Sequence, residues 1–335
     1  MINELTLWSK KLKDGLDLAH NFYFENSARL PKNINKIAFF GMGGSGIAGR
    51  IVKTFLDKKS NIPSFIIDSP DVPKYIDTNT LCFVITYSGN TWETINALNY
   101  LSENFIPTIV ISHNGQALKI AETKNLPFIL LPNSSQPRAA LGHFLGLILG
   151  ILDLMKIING KEIVEIFIKQ ANLYTPKFED ESYFNEFLYA SNGYESFHVW
   201  GIAGDSAEFA YRAQTQFNEN SKVRAVFSSF PECCHNLLAG FTDCKEKPLV
   251  LMFSTDFLST NLEKAVEATG EILKEIGAVL YKAPVLGNNW EGQLFHMILW
   301  SDFASYYLGK KRGANTVEVK LIEQLKAKHK TKGIK

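Results

Sequence analysis

The sequence carries almost no net charge and few cysteines. Its 335 residues include 35 Lys and Arg against 34 Asp and Glu, which gives a formal net charge of +1. A chain so close to neutral lacks the basic surface that binds nucleic acid or an anionic membrane. The four cysteines form no C-x-x-C pair, so neither a zinc site nor a thioredoxin motif is expected; they are Cys82, Cys233, Cys234 and Cys244. We predict free thiols in a reducing cytoplasm, with no nucleic-acid or membrane partner.

Long apolar runs are also scarce. The longest spans residues 139–155 and is interrupted by His143 and Asp153, so it predicts a buried helix and not a membrane span. The N-terminal residues carry charges where a secretory signal would be apolar. Hydrophobic residues make up 46% of the chain and charged residues 21%, which is typical of a globular protein with one large or two medium domains.

Predicted strands alternate with predicted helices along the chain. Short runs of β-branched and aromatic residues predict buried strands at 36–40, 64–68, 81–86, 108–112, 128–131, 197–202, 249–253 and 279–282. The stretches between them predict helices at 3–24, 47–56, 93–104, 118–123, 206–217, 261–276, 291–308 and 317–328, with Ser206 as an N-cap. We therefore predict an α/β fold of two αβα-sandwich domains with parallel sheets, residues 1–158 and 159–335, plus N- and C-terminal helices.

A glycine cluster, Gly41-Met-Gly-Gly-Ser-Gly46, follows the first predicted strand and opens a helix. We call residues 41–46 the glycine turn. Backbone amides at such a turn and the dipole of the helix form a site for an anion. The same glycines satisfy G-x-G-x-x-G, and Asp68 stands where a dinucleotide-binding protein has its ribose-binding acid. The turn alone therefore leaves three alternatives: a phosphate site, a dinucleotide site and a tight turn without a ligand.

A second polar segment follows the strand predicted at 81–86. Residues 86–91, which we call the hydroxyl loop, place Thr86, Ser88 and Thr91 at a strand end, and Ser45 adds a hydroxyl from the glycine turn. Hydroxyls and amides at neighbouring strand ends suit a compact phosphate monoester, whereas a dinucleotide site has no need of this loop. The alternative is a Ser- and Asn-rich turn that caps a helix.

These segments resemble a known family. FFGMGGSGIAG at 39–49 and ITYSGNTWET at 85–94 look like the phosphosugar-binding SIS domain. Further segments narrow the resemblance to the bifunctional phosphoglucose/phosphomannose isomerases with tandem SIS domains: QPRAAL at 136–141, NENSK at 218–222, PECCHN at 231–236 and LIEQLK at 321–326. The chain differs from the family pattern at Thr86, at Ser221 and at residues 313–319, where the family has Ser, Ala and a D-P-T-P stretch.

The resemblance implies an isomerase that interconverts glucose 6-phosphate, and also mannose 6-phosphate, with fructose 6-phosphate through a cis-enediol, without a metal or redox cofactor. The family's catalytic residues fall on Glu219 as the base, His235 for ring opening, Lys326 at the ring oxygen and Arg138 beside the enediolate. A carboxylate partly removed from water and an imidazole that titrates near neutral pH suit proton transfer. Each residue also has an ordinary alternative: a solvated Glu, a hydrogen-bonded loop His, an exposed Lys and an Arg in a surface ion pair.

By the same resemblance, the first domain would bind the phosphate group through Gly44, Ser45, Thr86, Ser88 and Thr91. The resemblance also implies a cytoplasmic homodimer of glycolysis and gluconeogenesis, with an active site between domains that both subunits share.

Two other functions stay open from the residues. A non-catalytic phosphosugar sensor would keep the glycine turn and the hydroxyl loop but would have no use for Glu219 and His235. An NAD-dependent oxidoreductase would use the G-x-G-x-x-G pattern and Asp68.

Overall fold

The structure of the chain is a computed structural model that describes residues 1–242, 244–245 and 248–333. Its helices are α1 (Ile2–Leu5), α2 (Trp8–Asn26), α3 (Gly43–Lys59), α4 (Trp92–Glu103), α5 (Gln116–Thr123), α6 (Leu141–Leu154), α7 (Gly160–Phe178), α8 (Asn185–Ala190), α9 (Ala207–Gln216), α10 (Thr260–Glu275), α11 (Trp290–Lys311) and α12 (Lys320–Thr331). Its strands are β1 (Lys36–Phe40), β2 (Ser64–Ile67), β3 (Thr80–Thr86), β4 (Thr108–Ser112), β5 (Phe128–Leu130), β6 (Ser196–Ile202), β7 (Arg224–Phe230), β8 (Leu249–Phe253) and β9 (Val279–Lys282).

The chain divides into two compact units. The N-terminal unit consists of Leu7–Ile168 with α12, and the C-terminal unit consists of Lys169–Val319 with Met1–Thr6. The boundary between the compact units falls inside α7. The domain limits 1–158 and 159–335 stay a prediction.

The N-terminal unit is built on a five-stranded parallel sheet in the order β2-β1-β3-β4-β5. The chain passes from β1 to β2 on one side and then continues at β3 on the other side, so the strand order reverses between β1 and β3. In open parallel sheets, ligands bind beyond the carboxyl ends of the strands at such a reversal. The glycine turn follows β1 and the hydroxyl loop follows β3, so the sheet places both at this edge.

Helices cover both faces of this sheet. Successive side chains of β1 point to opposite faces, because a strand has a period of two. Ala38 and Phe40 belong to a buried cluster that includes residues of α4 and α5. On the other face, Phe39 packs against Gly49 of α3, where an added Cβ would lie 2.5 Å from the Phe39 Cβ. This layering confirms the predicted fold class for the N-terminal unit.

The long apolar stretch forms α6, which is buried within the N-terminal unit as predicted. Among the described residues, Pro137–Leu154 is the one helix long and apolar enough to cross a membrane, and 78% of it is buried inside the protein. Helix α2 packs closely on it, since a Cβ added to Gly15 would lie 2.6 Å from the carbonyl oxygen of His143. Such burial is what a core helix shows.

The C-terminal unit contains a second parallel sheet, with four strands in the order β7-β6-β8-β9. Trp200 and Ile202 of β6 share a buried cluster with Leu273 of α10 on one face. On the other face, Gly201 packs against α9, where an added Cβ would lie 2.6 Å from the Cβ of Ala210. Both predicted sheets are therefore present, each with helices on its two faces.

Some elements were missed or misplaced by the sequence analysis. Strand β7 was not predicted, because its sequence mixes apolar residues with Arg224 and the pair Ser228-Ser229. Helix α7 was not predicted either; it begins at a glycine and contains Pro176. Helix α8 is only six residues long. Helix α3 begins at Gly43, before the predicted residue 47, because the glycine turn itself forms the first helical turn.

Candidate active site

A hydrogen bond joins the glycine turn to the hydroxyl loop. The Oγ of Ser45 accepts a hydrogen bond of 3.0 Å from the backbone amide of Tyr87, and both residues are buried. Ser45 lies in the first turn of α3. Amides in the first turn of a helix, together with the helix dipole, favour a bound anion. The structure thus brings the two predicted polar segments together at the carboxyl ends of β1 and β3.

Gly44 lies directly against Arg138. A Cβ on Gly44 would lie 3.0 Å from the backbone nitrogen of Arg138 and 3.2 Å from its Cα. Arg138 belongs to a 3₁₀ helix, Pro137–Ala140, that leads into α6. Its exposed fraction is 4%, which does not fit the alternative of an arginine in a surface ion pair. The absence of a side chain at residue 44 allows this arginine segment to approach the glycine turn.

The hydroxyl loop contains both binding candidates and a capping residue. The Oγ1 of Thr86 donates to the Oγ1 of Thr91 at 3.3 Å. Thr86 is buried, whereas Ser88 and Thr91 are half-buried. Asn90 accepts a hydrogen bond of 3.1 Å from the amide of Gln116, the first residue of α5. The helix-capping interpretation therefore applies to Asn90.

Tyr87 was not predicted as a site residue, although it organises the neighbouring loops. Its hydroxyl donates to the carbonyl oxygen of Ser134 at 3.1 Å and accepts from the Ser134 amide at 2.5 Å. Its ring stacks on His113 with a centroid separation of 5.1 Å. Tyr87 thus holds the segment that leads to the arginine-bearing 3₁₀ helix. The signal in the sequence was an aromatic hydroxyl in the middle of a polar loop.

Asp68, the acid of the dinucleotide alternative, forms an ion pair. Its carboxylate oxygen lies 2.8 Å from an Nη atom of Arg50 in α3. The Asp68 side chain is 61% exposed, so this is a surface ion pair of small energy that leaves the carboxylate accessible.

Glu219 lies in a π-helical turn, Phe217–Ser221, that follows α9; we call this segment the π-turn. The side chain of Glu219 is half-buried. Lys222, the residue that follows the π-turn, has a left-handed backbone with φ 56 and ends the turn. This geometry differs from the ordinary solvated helix end that is the alternative for Glu219.

Both asparagines beside Glu219 are anchored. Asn218 exchanges two hydrogen bonds with the backbone of Ala225 in β7, at 3.1 and 2.9 Å. Asn220 donates to the hydroxyl of Ser305 in α11 at 2.9 Å. The π-turn is therefore attached to a strand on one side of Glu219 and to a helix on the other.

His235 lies at the end of a short 3₁₀ helix and is exposed. The next residue, Asn236, donates to the carboxylate of Glu232 at 3.0 Å, which closes the loop that contains the histidine. Burial raises the pKa of the Cys233 thiol to about 12, so this group stays protonated near neutral pH. His235 is therefore an exposed imidazole in a loop that also contains the carboxylate of Glu232 and the neutral thiol of Cys233.

Lys326 lies on α12 and is exposed. Apolar residues of the same helix are exposed too: Leu321 by 79%, Ile322 by 44% and Leu325 by 53%. Exposed apolar surface of this kind is typical of a helix that packs against another protein surface.

The C-terminal unit has its own glycine-containing turn after β6, and a carboxylate fills it. Asp205 is 5% exposed and accepts hydrogen bonds from the hydroxyl of Thr255 at 2.8 Å and from the indole of Trp290 at 2.7 Å. Ser206 precedes α9 as predicted, but its side chain does not cap the helix and donates instead to the carbonyl of Phe253 at 2.7 Å. The side chains of Thr255, Trp290 and Ser206 around this second turn thus donate to acceptors within the protein.

The part of the chain that the structure describes has no group of three or more His, Cys, Asp or Glu side chains that could hold a metal ion. The four cysteines are free thiols, as predicted.

The two parallel sheets, with a glycine turn and a hydroxyl loop joined at the reversal of the first, define a protein of tandem SIS domains. Residues 32–127 match the SIS domain family, and residues 189–328 match the bacterial phospho-glucose isomerase C-terminal SIS domain. In fold, the chain is similar to a candidate phosphosugar isomerase of Silicibacter pomeroyi DSS-3, with a TM-score of 0.75 and 14% identity over 94% of this chain and 99% of that one.

Curated relatives are similar along nearly the whole chain. The identity is 32% over 315 residues to the bifunctional phosphoglucose/phosphomannose isomerase of Thermoplasma volcanium, which covers 93% of this chain and 96% of the relative. It is 29% over 310 residues to the protein of the same name in Aquifex aeolicus, with coverages of 92% and 94%. The chain belongs to the bifunctional phosphoglucose/phosphomannose isomerase family, which confirms the resemblance in the sequence motifs.

Proposed function

We propose that the chain interconverts glucose 6-phosphate and mannose 6-phosphate with fructose 6-phosphate. The observation that carries this proposal is the 32% identity, over 93% of the chain, to an isomerase named for both sugars. The bond between Ser45 and Tyr87 supports it, because it holds two segments rich in hydrogen-bond donors at the reversal of a parallel sheet.

In this proposal, the phosphate binds at the carboxyl ends of β1 and β3. The Oγ of Ser45 accepts a hydrogen bond from the Tyr87 amide, so the hydroxyl proton of Ser45 can be donated to a phosphate oxygen. The amide of Gly44 and the hydroxyls of Ser88 and Thr91 complete the set of donors. The hydroxyl of Thr86 donates to Thr91 and so directs the proton of Thr91 toward the site. Neutral donors and a helix dipole bind the anion, which agrees with a net charge of only +1.

Glu219 is the proposed base. It removes the proton from C2 of the open-chain aldose, and the electron pair forms the enediolate with its negative charge on O1. The hydroxyl proton on O2 then moves to O1, and the carboxyl returns its proton to C1 to give the ketose. Arg138 stabilises the negative charge on the enediolate oxygen. Ring opening breaks the bond between C1 and the ring oxygen while the O1 hydroxyl loses its proton to water. His235 supplies the proton that the ring oxygen gains, and Lys326 assists at that oxygen.

We further infer that the working form is a cytoplasmic homodimer with a shared active site. The exposed Leu321 and Leu325 of α12 support a second subunit, because burying them would remove apolar surface from water. We expect the wild type to sediment as a dimer. The double variant Leu321→Glu and Leu325→Glu should sediment as a monomer. A wild-type monomer with full activity would contradict it.

A coupled assay with the three phosphosugars, with and without a chelator, tests the activity. Glu219→Gln preserves the shape of the side chain but removes the base, so kcat should fall by roughly 10²–10⁴-fold. Calorimetry should show that this variant still binds fructose 6-phosphate. The matched control is Glu263→Gln, which alters an exposed glutamate of α10 and should leave kcat unchanged.

The same experiments separate the alternatives. Wild-type turnover by Glu219→Gln would contradict the assignment of the base. If the wild type binds fructose 6-phosphate but incorporates no solvent deuterium into the sugar, the protein is a sensor. Binding of NADH in a titration would support the oxidoreductase.

A further inference from the structure

Lys222 has a backbone conformation that disfavours a side chain. Its φ of 56 lies in the left-handed region, which glycine adopts freely and which residues with a Cβ adopt at a cost. Lys222 directly follows the π-turn that contains Glu219. A lysine at this position is therefore explained by what its side chain contacts and not by its backbone preference.

The ammonium group of Lys222 joins two segments of the C-terminal unit. Its Nζ donates to the carbonyl oxygen of Glu219 at 2.5 Å and to the carbonyl oxygen of Glu318 at 2.6 Å. An ammonium has three donors, so it can bind both main-chain acceptors at once. The first acceptor is the proposed base's own carbonyl, and the second lies in residues 313–319, which we call the terminal segment.

The π-turn and the terminal segment also meet the same point of α11. A Cβ added to Gly309 would lie 2.4 Å from the carbonyl oxygen of Asn220 and 3.1 Å from the Cγ2 of Thr316. The terminal segment has a defined conformation of its own, because Asn315 accepts hydrogen bonds from the amides of Val317 and Glu318 at 3.0 and 3.1 Å. Lys222 is thus attached to a formed loop.

We propose that Lys222 is a positioning residue for Glu219. By holding the carbonyl of Glu219 against the terminal segment, its ammonium sets the orientation of the peptide that carries the base. This inference rests on the proposed role of Glu219. It assigns a task to the lysine of the NENSK motif and to the terminal segment, where this chain departs from the family pattern.

The proposal has a kinetic signature. The base works in the proton-transfer step, and that step is slower when the base is held in the wrong orientation. Misplacing Glu219 should therefore lower kcat. The proposed phosphate site belongs to the N-terminal unit and does not involve Lys222, so KM should change little. If Lys222 only stabilised the fold, replacing it would instead lower the stability of the protein and with it the fraction of active enzyme.

Two variants test the proposal. Lys222→Met removes the ammonium but keeps the length of the side chain, and Lys222→Gly also relieves the left-handed backbone. Each should lower kcat for fructose 6-phosphate by about 10–100-fold, the effect of a misplacement on the order of 1 Å, with KM within about threefold. Lys222→Gly should unfold at the same temperature as the wild type or a higher one. Lys222→Arg, which restores a donor, should recover part of kcat.

Matched controls remove each feature of Lys222 separately. Lys311 of α11 donates to the carbonyl of Leu188 at 2.9 Å, so Lys311→Met deletes a similar bond in the same unit. Lys156 has φ 60, so Lys156→Gly relieves the same backbone conformation in the N-terminal unit. Both variants should retain wild-type kcat.

The outcomes are distinct. Wild-type kcat in Lys222→Gly, or a fall in kcat that is matched by a fall in melting temperature, would overturn the proposal for Lys222. If Lys222→Met does not fold, Lys222→Gly alone decides. If Glu219→Gln is inactive while Lys222→Gly is fully active, only the positioning role fails. If both are fully active, the proposed function of Glu219 fails as well.

Discussion

The hydroxyl oxygen of Ser45 accepts a hydrogen bond of 3.0 Å from the backbone amide of Tyr87. One buried bond therefore joins the segment after β1 to the segment after β3. Because both segments supply candidate donors for a phosphate, this bond fixes the spacing between the groups that would bind it. The consequences of altering it can be measured.

Replacing Ser45 should affect both stability and substrate binding. Ser45→Ala leaves the buried Tyr87 amide without its acceptor, which should cost about 1–3 kcal/mol of unfolding free energy. The loss of a phosphate donor should also raise KM for fructose 6-phosphate. Urea unfolding and steady-state kinetics measure the two effects. Ser102→Ala removes a hydroxyl that donates to the carbonyl of Asn99 in the same helix at 2.8 Å, and it should leave KM unchanged. An equal rise in both variants would contradict the assignment.

Gly44→Ala should weaken phosphosugar binding with little effect on the rest of the fold. The new Cβ would lie 3.0 Å from the backbone nitrogen of Arg138, so the glycine turn or the arginine segment must move. We expect the dissociation constant of fructose 6-phosphate, measured by calorimetry, to rise about tenfold, or roughly 1.4 kcal/mol. Gly240→Ala is the control, since among the described residues no atom beyond its own chain neighbours lies within 4 Å of the added Cβ. Unchanged affinity in Gly44→Ala would show that this close approach is not needed for binding.

Asp205 should contribute stability without taking part in turnover. Asp205→Asn weakens the bonds to Thr255 and Trp290, so the unfolding free energy should fall by about 1–3 kcal/mol. The fluorescence of Trp290 should change, because its indole donor faces the altered group. Asp256→Asn, at an exposed carboxylate that accepts from Gln293 at 2.7 Å, should change stability by about 0.5 kcal/mol or less. Equal losses in the two variants would argue against a special role of the buried carboxylate.

Acid should destabilise the protein partly through His296. Burial lowers the pKa of this histidine to about 4 from 6.5. The unfolded state then binds a proton more readily than the folded state. The contribution of His296 to the unfolding free energy is therefore fully present above about pH 6.5 and is lost as the pH falls toward 4. The full effect is about 3 kcal/mol at most.

His296→Leu removes this titration, so the loss of unfolding free energy between pH 7 and pH 5 should become smaller than in the wild type. Urea unfolding at the two pH values measures it. Burial also lowers the pKa of His143 to about 4, so part of the loss of unfolding free energy in acid remains in the variant. His20→Gln, at an exposed histidine, is the control. An unchanged pH dependence in His296→Leu would show that this histidine does not contribute.

Sequence patterns predicted the buried strands well, because a strand covered on both faces needs a continuous apolar run. The prediction for β1, β4, β8 and β9 agrees with the structure residue by residue. Strand β7 escaped because Arg224, Ser228 and Ser229 break its apolar pattern. Its pairing with β6 depends on tertiary contacts that a local pattern does not contain.

The sequence predicted the type of site, an anion site at strand ends, but not the hydrogen bonds that hold its segments in place. Glycines and hydroxyls at strand ends indicated an anion site, since the backbone chemistry of such turns is local. The supporting residues were not visible in the same way. Tyr87 supports a loop through Ser134, and Ser305 supports the π-turn through Asn220; in each case the partners are far apart in sequence.

The sequence by itself determined the fold class, the alternation of strands and helices, and the family, because these follow from periodicity and from contiguous motifs. Only the tertiary structure decided that Asp205 fills the second glycine-containing turn and that Lys222 joins the carbonyls of Glu219 and Glu318. A hydrogen bond between distant residues depends on the packing of the elements that carry them, and that packing is set by the buried core as a whole and not by any short stretch of sequence.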